Sequence, residues 1–165
     1  MAFGKFGRYY PDGIEVRVTR FDLVALLRAE LDVVAAGAGA DHRLRFTSDA
    51  DVCAIETDRQ HVRYIAVNLL QNAVKYSEPG TEVALELAVG GDDVRLRVSD
   101  QGIGIPPDEV AALFSPFYRA SNVEARPGTG MGLAIVKKSA KLIGASVEVC
   151  TTVGVGTVFT VTLPG

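Results

Sequence analysis

Two asparagines and a lysine recur at helical spacing in the middle of the chain. Asn68 and Asn72 are four residues apart and Lys75 follows three residues later, so their side chains project from one stripe of a helix. Asparagine is a poor helix former, which favours a functional reason for both. A carboxamide oxygen is a neutral, hard ligand that suits Mg²⁺. The stripe is a candidate cation site, and a solvated polar face is the alternative.

An acidic residue opens a glycine-rich turn further along the chain. Asp100 directly follows a predicted strand and begins the segment Asp-Gln-Gly-Ile-Gly-Ile-Pro. Gly102 and Gly104 would let the backbone approach a ligand closely. An acid at a strand end can accept a hydrogen bond from an exocyclic amine. Taken alone, the pattern fits a plain turn equally well.

A second glycine cluster opens a predicted helix and comprises Gly128, Thr129, Gly130, Met131, Gly132 and Leu133. Successive N–H groups at a helix N-terminus form an anion site. The cluster lacks the lysine and hydroxyl of a Walker P-loop, and no predicted strand leads into it, so neither that motif nor a Rossmann fingerprint is present. We interpret it as a candidate phosphate cradle.

Hydrophobic periodicity predicts the elements that position these segments. It indicates about six or seven strands, several of them joined as hairpins, and three main helices. The helices are predicted at 23–36, from a Thr57–Gln60 capping box to residue 76, and at 132–143. A short helix is predicted at 107–113. The fold class is therefore α/β, a two-layer sandwich in which helices cover one face of a mixed sheet.

Composition limits the kind of protein. The chain has 165 residues, of which 48% are hydrophobic and 22% charged, as in a single globular domain. A net charge of −3 disfavours a nucleic-acid surface. No apolar run approaches the length of a membrane span, so no direct membrane contact is expected. Residues 1–13 are predicted to be a linker or an expression remnant, and 14–165 the domain.

The order of these segments, with Phe-Ser-Pro-Phe-Tyr-Arg at 114–119 between the glycine clusters, resembles the catalytic ATP-binding domain of bacterial sensor histidine kinases. The resemblance runs from about residue 14 to 164. Residues 68–77 resemble its N box and 100–104 its G1 box. The F, G2 and final glycine boxes correspond to 114–119, 128–133 and 154–157. The resemblance implies the Bergerat ATP-binding fold of the wider superfamily of gyrase, Hsp90 and MutL.

The resemblance also implies an ATP and Mg²⁺ site. Asn72 would ligate Mg²⁺, with Asn68 beside it near the phosphates, and Lys75 would pair with phosphate oxygens. Tyr76 would pack on the adenine, and Asp100 would accept from its amino group with water-mediated support from Thr157. The other implied contacts are Gly102, Gly104 and Ile105 around the base, residues 128–133 (Gly128, Thr129, Gly130, Met131, Gly132, Leu133) around the phosphates, and Arg119 at the γ-phosphate. Asn72, Lys75 and Arg119 would form the catalytic set, and residues 120–127 a mobile lid.

The implied function is that of a two-component kinase. The domain would donate the γ-phosphate of ATP to a histidine on a separate dimerisation domain, with a response regulator downstream. Neither His42 nor His61 is followed by Glu, as the family's phosphoacceptor box requires. The acceptor is therefore expected outside this chain, in a parent protein that is cytoplasmic at this domain whether or not it is membrane-anchored. Little activity is expected from the domain alone.

Three alternatives stay open. An anti-sigma-factor-type serine kinase shares the boxes, although the F box favours histidine kinases. A regulatory module would use nucleotide only to tune a partner contact, which the intact boxes disfavour. A conformational ATPase of the gyrase or MutL kind would need a longer lid and a transducer domain.

Overall fold

The computed structural model describes residues 7–9, 13–116, 118–121 and 132–165. Its strands are β1 (Gly7–Tyr9), β2 (Glu15–Asp22), β3 (Arg43–Ser48), β4 (Ala54–Asp58), β5 (Glu82–Gly90), β6 (Asp93–Asp100), β7 (Ser146–Thr152) and β8 (Gly156–Pro164). Its α-helices are α1 (Leu23–Ala36), α2 (Arg59–Lys75) and α3 (Gly132–Ile143), and a 3-10 helix spans Pro107–Ala112.

The main sheet has five strands in the order β3-β5-β6-β8-β7. β3 pairs with β5 in parallel, and the other three pairings are antiparallel. The sheet is therefore mixed, as the hairpin pattern predicted. A separate antiparallel sheet of three strands has the order β1-β2-β4.

One face of the main sheet is apolar and covered by the helices. Along β6, Val94, Leu96 and Val98 are buried while Arg95 and Arg97 are exposed, which is the alternation of a sheet with one solvated face. α2 packs against both α1 and α3. Its buried residues are Val62, Ile65, Ala66, Leu69, Leu70, Ala73 and Val74, which form the apolar face of the helix. The predicted two-layer α/β architecture is confirmed.

The start of α2 differs from the predicted capping box. Thr57 lies in β4, where it is paired with Thr19 of β2, and the N-cap is Asp58. Asp58 Oδ1 accepts hydrogen bonds from the backbone N–H groups of Gln60 and His61, at 2.9 and 3.3 Å. The strand ladder holds Thr57 extended, so the helix begins one residue later than predicted.

Asp58→Ala is expected to lower the free energy of unfolding by about 1–2 kcal/mol, the usual cost of losing an N-cap. Asp58 also accepts from the backbone N–H of Arg17 through Oδ2, at 2.7 Å, so the cost should lie at the upper end. Urea denaturation would measure it. Asp58→Asn keeps an acceptor for the helix and should lose less; equal losses for both variants would contradict the capping explanation.

Two local features differ from what the sequence predicted. β1 pairs with the first residues of β2, Gly7 opposite Arg17 and Tyr9 opposite Glu15, whereas residues 1–13 carry no clear pattern. The domain boundary at residue 14 stays a prediction. The predicted helix at 107–113 is a 3-10 helix at Pro107–Ala112. Within the described residues, no helix has the length and apolar character needed to cross a membrane.

Candidate functional site

A cavity of about 260 Å³ opens between α2, the loop after β6 and the first residues of α3. It brings together residues that are far apart in the sequence. The predicted site residues that line it are Asn68, Asn72, Lys75, Tyr76, Asp100, Gly104, Ile105, Arg119, Gly132, Leu133 and Thr157. Gly102 lies beside it without lining it. The predicted contacts Gly128, Thr129, Gly130 and Met131, and most of the predicted lid, lie outside the described residues.

The two asparagines of α2 face the beginning of α3. A Cβ added to Gly132 would lie 3.3 Å from Oδ1 of Asn68 and 3.6 Å from Oδ1 of Asn72. Asn68 donates through Nδ2 to the backbone carbonyl of Tyr64 at 2.7 Å, so its amide oxygen is the atom turned toward Gly132. Both carboxamides and the first turn of α3 therefore line one part of the cavity.

Lys75 lies on the same stripe of α2, next to an aromatic ring. Its Nζ is 5.4 Å from the ring centroid of Tyr76, within the range of a cation–π contact. Both side chains are half-buried and line the cavity. The helical spacing of Asn68, Asn72 and Lys75 thus brings all three side chains to one cavity, while their binding roles stay predictions.

Asp100 presents a half-buried carboxylate in another wall of the cavity. Its Oδ1 accepts from the backbone N–H groups of Gly102 at 2.9 Å and Thr157 at 3.3 Å. Among the described residues, no hydrogen bond reaches Oδ2. Burial raises the pKa of this carboxyl from its ordinary 3.8 to about 6, against the opposing effect of the two backbone hydrogen bonds. The group is still ionised at neutral pH, where Oδ2 is an acceptor.

The glycines of the turn after Asp100 keep space free for protein backbone. A Cβ at Gly102 would collide with the carbonyl oxygen of Tyr76, and one at Gly104, where φ is +70°, would collide with the backbone of Thr152. The N–H of Ile103 also donates to the Tyr76 carbonyl at 3.1 Å. These two glycines let three backbone segments meet, and their role in making room for a ligand stays a prediction.

Thr151 is a contributor that the sequence gave no reason to single out. Its hydroxyl accepts from the backbone N–H of Ile105 at 2.9 Å and lies 2.9 Å from the hydroxyl of Thr157. It therefore ties the turn after β6 to the start of β8. Thr151 does not itself line the cavity; the lining residues that the sequence did not single out as site residues are Gln71, Ile103, Leu113, Tyr118, Ala120 and Phe159.

Phe114 is half-buried and packs against the hydrophobic core. Its ring meets that of Phe159 edge-to-face, with centroids 6.4 Å apart, a favourable aromatic geometry. Phe117 lies outside the described residues.

Among the residues that are described, no cluster of three or more His, Cys, Asp or Glu could hold a metal.

The fold and the cavity define the class: a two-layer α/β domain of the type that binds ATP. The model of the family described as histidine kinase-, DNA gyrase B- and HSP90-like ATPase matches residues 57–165, and the chain belongs to that family. Its similarity to sensor histidine kinases identifies it more closely as a catalytic ATP-binding domain of that kind.

Three comparisons illustrate this similarity. The chain is 41% identical over 123 residues to the circadian input-output histidine kinase CikA of Synechococcus elongatus, which covers 73% of this chain and 16% of CikA. It superposes on the mycobacterial sensor histidine kinase MprB with a TM-score of 0.80 and 29% identity, covering 89% of this chain and 98% of that structure. It superposes on full-length ShkA in complex with AMPPNP with a TM-score of 0.79 and 30% identity, covering 92% of this chain and 32% of that structure. The chain spans 12–24% of the length of the first curated relatives that it matches.

Proposed function

We propose that this domain binds Mg-ATP and donates the γ-phosphate to a histidine on a separate dimerisation domain of a two-component kinase. The observation that carries the proposal is a cavity that joins a half-buried acceptor, Asp100, to the cations Lys75 and Arg119 and to the beginning of α3. A purine amine and a polyphosphate need these two kinds of surface in one place.

Asp100 supports recognition of the adenine base. An ionised carboxylate only accepts hydrogen bonds, and the exocyclic amine of adenine is a donor. Guanine carries a carbonyl oxygen at the corresponding position, which would leave two acceptors facing each other without a donor between them. In the proposal, Tyr76 packs on the base, and Thr157, whose N–H binds Oδ1, orients the carboxylate.

Positive charge and hydrogen-bond donors, in contrast to the acceptor Asp100, suit the phosphates. Lys75 and Arg119 supply positive charge, and the first turn of α3 supplies backbone N–H groups at Gly132 and Leu133. The remaining proposed cradle residues, Gly128 to Met131, lie outside the described residues.

Mg²⁺ fits the carboxamide pair. Neutral oxygens from Asn72, with Asn68 beside it, suit a hard cation that takes its other ligands from phosphates and water. A bound Mg²⁺ would neutralise charge on the phosphates. Phosphoryl transfer depends mainly on such positioning and neutralisation, which this domain supplies, while the nucleophile belongs to the partner.

The partners follow from the same proposal. The relatives are histidine kinases by name, and ShkA was solved with AMPPNP, which supports a nucleotide in this cavity and a histidine as acceptor. A response regulator would then receive the phosphoryl group, and the domain would work in the cytoplasm, where ATP is available.

A trans-phosphorylation assay tests the function. The chain is incubated with γ-labelled ATP, Mg²⁺ and the dimerisation domain of its parent kinase. We expect label on a histidine of the dimerisation domain, stable to base and labile to acid, and little ATP turnover by the chain alone. Acid-stable label on a serine would favour the serine-kinase alternative. ATP binding without any transfer would favour a regulatory module.

A further inference from the structure

One carboxylate in the 3-10 helix holds the segment that carries Arg119. Glu109 Oε1 accepts from the phenol hydroxyl of Tyr118 at 2.8 Å and from the backbone N–H of Ser121 at 3.0 Å. Its Oε2 accepts from the hydroxyl of Ser121 at 2.9 Å. We call these three residues the Glu109 bridge. All three donors come from a stretch of four residues.

The bridge encloses two residues of the cavity wall. Arg119 and Ala120 line the cavity, and Tyr118 and Ser121 flank them in the sequence. A carboxylate that binds both flanking residues restrains the backbone on either side of Arg119. Hydrogen bonds to an ionised acceptor are stronger than neutral ones, and the bonds from Tyr118 and Ser121 hold the pKa of Glu109 below its usual range.

The other end of the bridge is fixed to the base side of the site. The backbone N–H of Glu109 donates to the carbonyl of Pro106 at 2.9 Å, and the adjacent Ile105 is bound by the hydroxyl of Thr151. At the far end of the 3-10 helix, Leu113 is buried and lines the cavity. Glu109 therefore stands on a segment whose two ends are both anchored at the site.

We propose that Glu109 is a positioning residue that holds Tyr118 and Ser121 so that the Arg119 guanidinium is directed to the γ-phosphate. This rests on the proposed function, in which Arg119 is the cation at that phosphate. The bridge then links the turn that carries the base pocket to the cation that distinguishes ATP from ADP. Loss of the bridge misplaces the guanidinium without changing the contacts to the base.

Calorimetric titration of the chain with Mg-ATP and with Mg-ADP tests this. Glu109→Ala should weaken ATP binding by about fivefold, as expected for losing charge-assisted hydrogen bonds, and change ADP binding by less than about twofold. Arg119→Ala should show the same selective loss. The double variant should be no weaker than Arg119→Ala alone, because the bridge acts only through Arg119. Asp108→Ala removes the same charge from the neighbouring, exposed position and should leave both affinities unchanged.

The outcomes separate the bridge from the function on which it rests. If Arg119→Ala selectively weakens ATP binding and Glu109→Ala does not, the positioning role of Glu109 is wrong and the proposed function stands. Equal losses for ATP and ADP, or additive losses in the double variant, would show a merely structural role. If Arg119→Ala leaves ATP binding unchanged, both assignments fail. Tyr118→Phe removes one hydroxyl only and gives the same selective test should Glu109→Ala fail to fold.

Discussion

Asp100→Asn is expected to weaken ATP binding by at least about tenfold, since it replaces the charged acceptor proposed to bind the base by a neutral amide. The fold should tolerate the change. The amide oxygen can still accept from the N–H groups of Gly102 and Thr157, and the substitution removes a charge that is costly to bury. The melting temperature without nucleotide at pH 7.5 should therefore be unchanged or higher. Calorimetry with ATP and a thermal melt measure the two effects.

The pH dependence of the unmodified protein gives a second readout of Asp100. Because burial raises its pKa from 3.8 to about 6, the folded state takes up a proton more readily than the unfolded state. The contribution of this group to stability therefore falls as pH rises from about 4 to about 6, and then stays constant. ATP binding should change in the other direction, because a protonated carboxyl loses acceptor capacity. ATP affinity should weaken below pH 6, and Asp100→Asn should abolish that dependence.

Asp93→Asn is the matched control, since Asp93 begins the strand that Asp100 ends and is exposed. It should alter neither ATP affinity nor its pH profile. An Asp100→Asn variant that still prefers ATP over GTP as strongly as the parent would refute the base assignment, whatever its stability. A fall in stability without a change in nucleotide affinity would make Asp100 a structural residue of the turn.

Local patterns predicted most of the fold. The bounds of α1 and α3 agree with the predicted helices at 23–36 and 132–143, because each has an apolar stripe that ends at a glycine. The strands of the main sheet were visible because one face is solvated. The prediction was wrong where a contact between residues distant in sequence determines the local structure. Thr57 carried a capping signal, but its pairing with β2 placed the N-cap at Asp58.

The site was predictable where its chemistry is periodic or local. Asn68, Asn72 and Lys75 could be placed together from helical spacing alone. Thr151 could not, because it acts on Ile105, which is 46 residues away in the sequence. The need for glycine at 102 likewise depends on the Tyr76 carbonyl, which belongs to another loop. Leu113 and Phe159 could not be predicted as cavity residues either, because an apolar residue of the cavity wall has the same sequence pattern as any core residue.

Asn72→Ala is expected to remove most of the gain in ATP affinity that Mg²⁺ provides, about tenfold or more, because even the loss of a residue that only supports a metal ligand costs about that much and Asn72 is the proposed ligand itself. The fold should not suffer. The side chain is half-buried in the cavity wall, its backbone carbonyl still accepts from Tyr76 at 3.0 Å, and alanine is the better helix former. Calorimetric titration with ATP in Mg²⁺ and in EDTA measures the gain for each protein.

The difference between the two titrations isolates the metal from the rest of the site. In EDTA, Asn72→Ala and the parent should bind ATP equally, because the contacts to the base and the cation at Lys75 are unchanged. Gln60→Ala removes another carboxamide from the first turn of the same helix, where it is exposed, and should keep the full effect of Mg²⁺. If Asn72→Ala also keeps that effect, the metal is held elsewhere. If it weakens ATP equally with and without Mg²⁺, Asn72 contacts the nucleotide directly, and the asparagine stripe is a phosphate site and not a metal site.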